Sequence, residues 1–133
     1  MTTAGTVPTT AADLAAAWTR FWNGELDLAP GLLAAGFRIH FGAPSDPAVA
    51  DGVHGPQAMA AFVARYRETH GDVRFRVDGP PAGERDRTAF LWSATLPDGR
   101  EVSGIDLVTL AGRRIAEVWS VTGARVLPPV PAA

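Results

Sequence analysis

The dominant hydrophobic period of the chain changes at Gly71, and that change limits the folds open to it. Before it, apolar residues recur at helical spacing; after it, they alternate. Thr10-Ala-Ala-Asp13 makes a capping-box-like start, and Leu14, Trp18, Phe21 and Trp22 follow on one helical stripe up to Asn23-Gly24. A short second helix is predicted over 27–35, with Gly36 as its stop. The run 37–41, FRIHF, reads as a strand. Residues 42–55 carry Gly, Pro and Asp and read as a loop long enough to be a mobile rim. Pro56 suits the first turn of a third helix, with Met59, Phe62, Val63 and Tyr66 on one stripe and Gly71 ending it.

Beyond Gly71, Val73, Phe75 and Val77 alternate with Arg74, Arg76 and Asp78. A Gly-Pro-Pro-Ala-Gly turn follows, then strands over 87–96, 101–110 and 114–122. Pro97-Asp98-Gly99 and Ala111-Gly112-Arg113 are the turns between them. Three helices with one strand among them, followed by a four-strand antiparallel meander, predict an α+β domain. The helices would pack on one face of a curved sheet. The concave face of such a sheet must close over something, and four Trp, six Phe and one Tyr supply the walls of an apolar pocket.

Composition narrows the function. The 133 residues suit one domain, predicted over 10–127 between flexible tails at 1–9 and 128–133 that have nothing to bury. All twelve basic residues are Arg, set against fourteen acids for a formal net charge of −2. That balance gives no electrostatic footprint for nucleic acid or an anionic membrane, so neither is expected as a partner. The lack of Cys excludes disulfides, thiolate metal sites and a thiol nucleophile. Three scattered His residues make a zinc site improbable, and neither a metal nor an organic cofactor is expected. The first eight residues do not read as a signal peptide, and no apolar run approaches the roughly 20 residues of a membrane helix. The expected setting is cytoplasmic.

Most of the fourteen acids fall in turns or at helix ends, where an acid is simply solvated. Asp106 differs, because it sits mid-strand beside Ile105, Leu107 and Val108. By period 2 it shares a face with Val102, Gly104, Val108 and Leu110, the face expected to meet the core. Asp is disfavoured in strands and costly to bury unpaired. An apolar enclosure raises its pKa and yields a carboxylic acid able to donate a proton. The alternative is that Asp106 faces solvent or pairs with an Arg across the sheet. Glu117 reads as a cross-hairpin partner of a strand Arg. His40 has the opposite parity to Phe37, Ile39 and Phe41, and is either a surface residue or a pocket-rim base. His54 and His70 flank a helix and read as structural. Trp18, Trp22, Phe41, Phe62, Tyr66, Trp92 and Trp119 serve as core, as walls for an apolar ligand, or as both.

Trp18-Thr-Arg-Phe-Trp-Asn-Gly24, Gly52-Val-His-Gly55 with its following helix, Ser103-Gly-Ile-Asp-Leu107 and Gly112-Arg-Arg-Ile-Ala-Glu-Val-Trp119 together resemble the nuclear-transport-factor-2-like superfamily. The ending resembles its SnoaL-like proteins. The resemblance spans most of 10–122 and implies a cone: three helices against a strongly bent antiparallel sheet, a pocket at the wide end, and a homodimer. In SnoaL-like polyketide cyclases an Asp on this strand is the acid/base, and Asp106 matches it; their His in the preceding hairpin has no counterpart over 92–104. In ketosteroid isomerases an Asp in the same context donates to the enolate oxygen, and Asp106 matches again. Trp18 falls at the position of their first-helix Tyr, and Phe41, next to His40, at that of their base. Limonene-epoxide-hydrolase-like enzymes have an Arg where Gly104 stands and a second Asp near Trp119 or Ser120.

Two functions follow from these readings. One is a cofactor-independent enzyme in which Asp106, with His40 as complementary base, cyclises or isomerises a small hydrophobic carbonyl or polyketide-like substrate held by the seven aromatic residues. The other is a non-catalytic domain, which either binds an apolar small molecule or serves only as a dimerisation module.

Overall fold

The computed structural model describes residues 10–42 and 51–132. The expected tail at 1–9 and most of the 42–55 loop lie outside them. Helix α1 (Ala11–Trp22) starts where expected: Thr10 is its N-cap, and its side chain accepts a hydrogen bond from the Asp13 amide at 3.0 Å. Its apolar stripe is buried, with Trp18 and Phe21 almost fully enclosed. At its end, Asn23 pairs with β2 (Arg74–Val77) as a strand would. Its amide donates to the Phe75 carbonyl at 3.0 Å, and its side-chain oxygen accepts from the Phe75 N–H at 2.8 Å. This double bond ties the helix to a sheet edge.

The second helix is shorter than predicted. A 3₁₀ turn at Leu26–Leu28 leads into α2 (Ala29–Leu32), and strand β1 (Leu33–Phe41) begins at once. Pro30 suits a helix start, but the buried Leu33 is already paired with Ile115, so sheet pairing overrides the propensity of 33–35. Gly36 stops no helix; it lies in the irregular stretch where the register shifts between Leu33 and Arg38. Helix α3 (Gly55–His70) carries Pro in its first turn and ends at Gly71, whose φ of 82° is one that glycine adopts freely.

After Gly71 come β2, a short β3 (Ala82–Glu84), β4 (Arg87–Thr95), β5 (Glu101–Ala111) and β6 (Arg114–Thr122). The sheet order is β1-β6-β5-β4-β2, with β3 also paired to β4. Strands β2 to β6 pair antiparallel as the meander predicts, whereas β1 joins β6 in parallel, so the sheet is mixed rather than wholly antiparallel. No local signal fixes that direction, because β1 meets β6 only after the chain has run through α3 and the whole meander. The fold is α+β, with the helices and one sheet face closing on a core that includes Trp18, Phe21, Phe37, Ile39, Met59, Val63 and Val118.

The segment expected as a C-terminal tail is held along the sheet. Within 128–133 the Val130 N–H donates to the Asp78 carbonyl at 3.1 Å, and just before that segment the Leu127 N–H donates to Ser103 Oγ at 2.8 Å. Its composition promises no burial, but an extended chain can still be fixed through its backbone. No described helix is long and apolar enough to cross a membrane.

Candidate active site

Alternation along β5 decides what faces inward. Gly104, Asp106 and Val108 are buried facing inward, whereas Ile105 and Leu107 point out to solvent; Ser103 shares the outward parity and is buried there beneath the C-terminal segment. Asp106 is 5% exposed and lines a cavity of about 720 Å³ between the sheet, α1 and α3. Both carboxyl oxygens are engaged by tryptophans from different elements. Trp18 Nε1, on α1, donates to Oδ2 at 2.8 Å, and Trp92 Nε1, on β4, donates to Oδ1 at 2.9 Å. Indole N–H groups donate only, so each needs such an acceptor when buried. The Ser120 hydroxyl, directly across the β5–β6 pair, is a third hydrogen-bond partner.

Two opposed effects set the charge of Asp106. Burial pushes its pKa above the ordinary aspartate value, and the hydrogen bonds from Ser120, Trp18 and Trp92 pull it back less strongly. The net effect is upward, so the carboxyl keeps its proton to higher pH than a solvated Asp. When protonated, it still accepts from both indoles and has one O–H to give to a ligand.

Gly104 explains how Trp92 reaches the carboxylate. The two residues pair across β4 and β5, and a Cβ at position 104 would lie 2.1 Å from the Trp92 ring. The missing side chain lets the indole lie over β5 and extend its N–H two residues along to Asp106. Trp22 forms the centre of the aromatic wall, packing edge-on against Phe41, Phe62 and Tyr66, and tilted against Phe75.

Six of the seven expected aromatic wall residues line the cavity: Trp18, Trp22, Phe41, Phe62, Tyr66 and Trp92. Trp119 does not. It is 39% exposed on the opposite face of the sheet, where its ring stacks on His40 with centroids 5.4 Å apart. His40 is therefore not brought to Asp106 either: its Nε2 lies 2.5 Å from Glu117 Oε2 on that outer face. The cause is register. Phe41 pairs with Ser120 and faces the cavity, so His40 and its partner Trp119 must face away. Glu117 thus pairs with His40 rather than with a strand Arg.

The cavity contains groups that the sequence reading did not assign to it: Ser120, Thr122, Phe75, Phe90, Arg65, Thr69 and His70. Signals for some of them exist. Ser120 and Thr122 pair across from Asp106 and Gly104, and His70 continues the Phe62–Tyr66 stripe by one more helical turn. Tyr66, itself held protonated by a burial-raised pKa, packs its ring 4.4 Å from that of His70. Among the described residues, no group of three or more His, Cys, Asp or Glu could hold a metal.

The model of the SnoaL-like domain family matches residues 12–118. The chain belongs to that family. No curated protein matches. Among solved structures, the SnoaL-like chain resembles a candidate isomerase of the same family from Agrobacterium tumefaciens strain C58. The two are 26% identical with a TM-score of 0.73, over 85% of this chain and 97% of that one. A candidate ketosteroid isomerase from Kribbella flavida is 20% identical with a TM-score of 0.67, over 89% and 81% of the two chains. A candidate polyketide cyclase from Bacillus cereus is 17% identical with a TM-score of 0.65, over 83% and 72%. These last two likenesses are likenesses of fold.

Proposed function

We propose that this SnoaL-like protein is a cofactor-independent enzyme that performs acid/base chemistry on a small hydrophobic carbonyl or polyketide-like compound. One observation carries the reading: a buried carboxyl, fixed at both oxygens by indole N–H groups, faces an aromatic cavity. A structural aspartate needs no cavity, and an apolar binding site needs no buried acid, whose enclosure is costly. Asp106, in its acid form, donates its proton to the oxygen of the substrate carbonyl as negative charge develops there. The carbonyl oxygen becomes a hydroxyl, of an alcohol where a second substrate carbon bonds to the carbonyl carbon or of an enol where the substrate enolises, and Asp106 is left as a carboxylate already solvated by Trp18, Trp92 and Ser120. In a cyclisation that carboxylate takes the proton from the carbon that formed the new bond; in an isomerisation it takes the α-proton to give a dienol, then protonates the γ-carbon and recovers the enol proton, and either sequence returns Asp106 to the acid form. One group thus serves both halves of the cycle, and His40 is not needed.

Turnover of a panel of β,γ-unsaturated ketones and linear polyketones by wild type and Asp106→Asn tests this directly. Loss of turnover with retained binding is the expected result. Equal turnover by the two proteins overturns it. Among the described residues, Asp106 is hydrogen-bonded only to two indoles and a hydroxyl, which favours one rival, a non-catalytic binding domain, and ligands that bind but are never converted would establish that rival.

The reading includes a homodimer acting in the cytoplasm. Ile105 (48% exposed), Leu107 (39%), Trp119 (39%) and Val121 (59%) form an apolar outer sheet face that a second copy would cover. Light scattering on Val121→Lys tests that contact: a shift from dimer to monomer is expected, and a wild type that is already monomeric refutes it.

A further inference from the structure

The cavity has two chemically different ends. At the buried end is Asp106. At the solvent end, α3 contributes Arg65 and Thr69, four residues apart on the stripe that faces the cavity, both of them exposed where it opens. Among the described residues, Arg65 is the one arginine that lines the cavity. The contrast with Arg67, two residues on, shows what this means. Arg67 donates to the carbonyls of Trp22 (3.0 Å) and Val73 (2.8 Å) and pairs with Asp72 at 3.2 Å, so its guanidinium is consumed in joining α3 to α1 and the sheet. Among the described residues, Arg65 has no hydrogen bond or ion pair, and the single acid in the cavity wall is the buried Asp106. The helix dipole accounts for basic residues in the last turn, here Arg67 and His70, but not for Arg65 a turn earlier.

We infer that the ligand of this cavity carries an acidic group, a carboxylate or sulfonate, at the end remote from the atom that meets Asp106. Arg65 receives that group at the mouth through its guanidinium fork, with the Thr69 hydroxyl as second donor. The apolar middle of the ligand lies against Trp22, Phe62 and Tyr66. The ligand class is an amphiphilic acid: neutral and apolar where it is buried, anionic where it meets water. The inference takes the same cavity as the proposed enzyme and adds a direction to it, acid end outward.

Two naphthalene probes of nearly equal shape test it. 8-Anilinonaphthalene-1-sulfonate bears the anion, and N-phenyl-1-naphthylamine lacks it. Both are expected to bind wild type with a rise in fluorescence. Arg65→Gln should weaken the sulfonate roughly 10- to 100-fold, as loss of a charge-assisted pair implies, and leave the neutral probe within about twofold. Arg65→Lys keeps the charge without the fork and should recover part of the loss. Ala61→Trp, which fills the cavity, should remove both signals, while Val121→Lys on the outer face should leave both intact. An Arg65→Gln protein that binds both probes like wild type, or loses both equally, overturns the inference. Probe signals that survive Ala61→Trp but vanish with Val121→Lys also overturn it, since the probes are then on the outer face. Binding of neither probe removes the inference and leaves the enzyme reading to the turnover test. Discrimination by Arg65 alongside unchanged turnover in Asp106→Asn removes the enzyme reading alone.

Discussion

Ile105 and Asp106 are neighbours on one strand and lie in opposite surroundings. Ile105 is 48% exposed on the outer face of the sheet, and Asp106 is 5% exposed on the inner one. The same contrast holds for two tryptophans. Trp92 is 9% exposed and spends its N–H on Asp106; Trp119 is 39% exposed and stacks on His40. It holds for two carboxylates as well. Glu117 has a cation-forming partner within 2.5 Å and one-third exposure, while Asp106 has only neutral donors and almost no solvent. Both faces are apolar, so hydrophobicity does not separate them. Enclosure does: the helices cover one face, and desolvation there turns an ordinary acid into one with a raised pKa.

Substitutions at paired positions on the two faces should break this contrast in graded steps. The largest effect is expected from Asp106→Asn, with turnover down by at least about 100-fold, because the amide cannot complete proton transfer. It also sets an NH₂ against one indole N–H, so Trp fluorescence should change while the fold persists. Gly104→Ala comes next. Its methyl group must expel the Trp92 ring, and a loss of about 2–3 kcal/mol in denaturant unfolding is expected, with turnover falling alongside. A protein of wild-type stability would mean that the ring has room that the packing denies it.

The third effect is on pH dependence. The folded-state pKa of Asp106 is raised, so folding is favoured by the protonated form. This contribution is fully present below the unfolded value, about 3.9, and is lost as pH rises through the higher native value. Wild type should therefore lose stability relative to Asp106→Asn across that window, and acid-form activity should decline in the same window. Parallel pH curves for the two proteins would exclude the shift. The smallest effect is expected from His40→Asn on the outer face: less than about 1 kcal/mol, as for other partly exposed pairs, and unchanged turnover. A large loss of turnover there would reinstate His40 as the complementary base.

The inward position of Asp106 was legible because period-2 alternation over 102–110 is purely local. The outward position of His40 was half legible. Its parity opposed that of Phe37, Ile39 and Phe41, but only the parallel pairing with β6 shows that the opposite parity meets solvent and Trp119 rather than a pocket rim. Arg65 and Arg67 could not be told apart in the sequence. Two residues of helical rotation send one into backbone carbonyls and the other to the cavity mouth, and those carbonyls belong to α1 and the loop before β2. The short α2 was misjudged because Leu33 gains more from pairing with Ile115 than from continuing a helix.

The sequence by itself determined the α+β order, the caps of the first and third helices, the antiparallel meander and the alternation of residues along each strand, since all of these rest on interactions a few residues apart. Tertiary structure decided which face is enclosed, that two indoles converge on one carboxyl, and that Arg65 rather than Arg67 lines the cavity. These depend on contacts between residues 14 to 88 positions apart, whose geometry is set only when the helices close over the sheet.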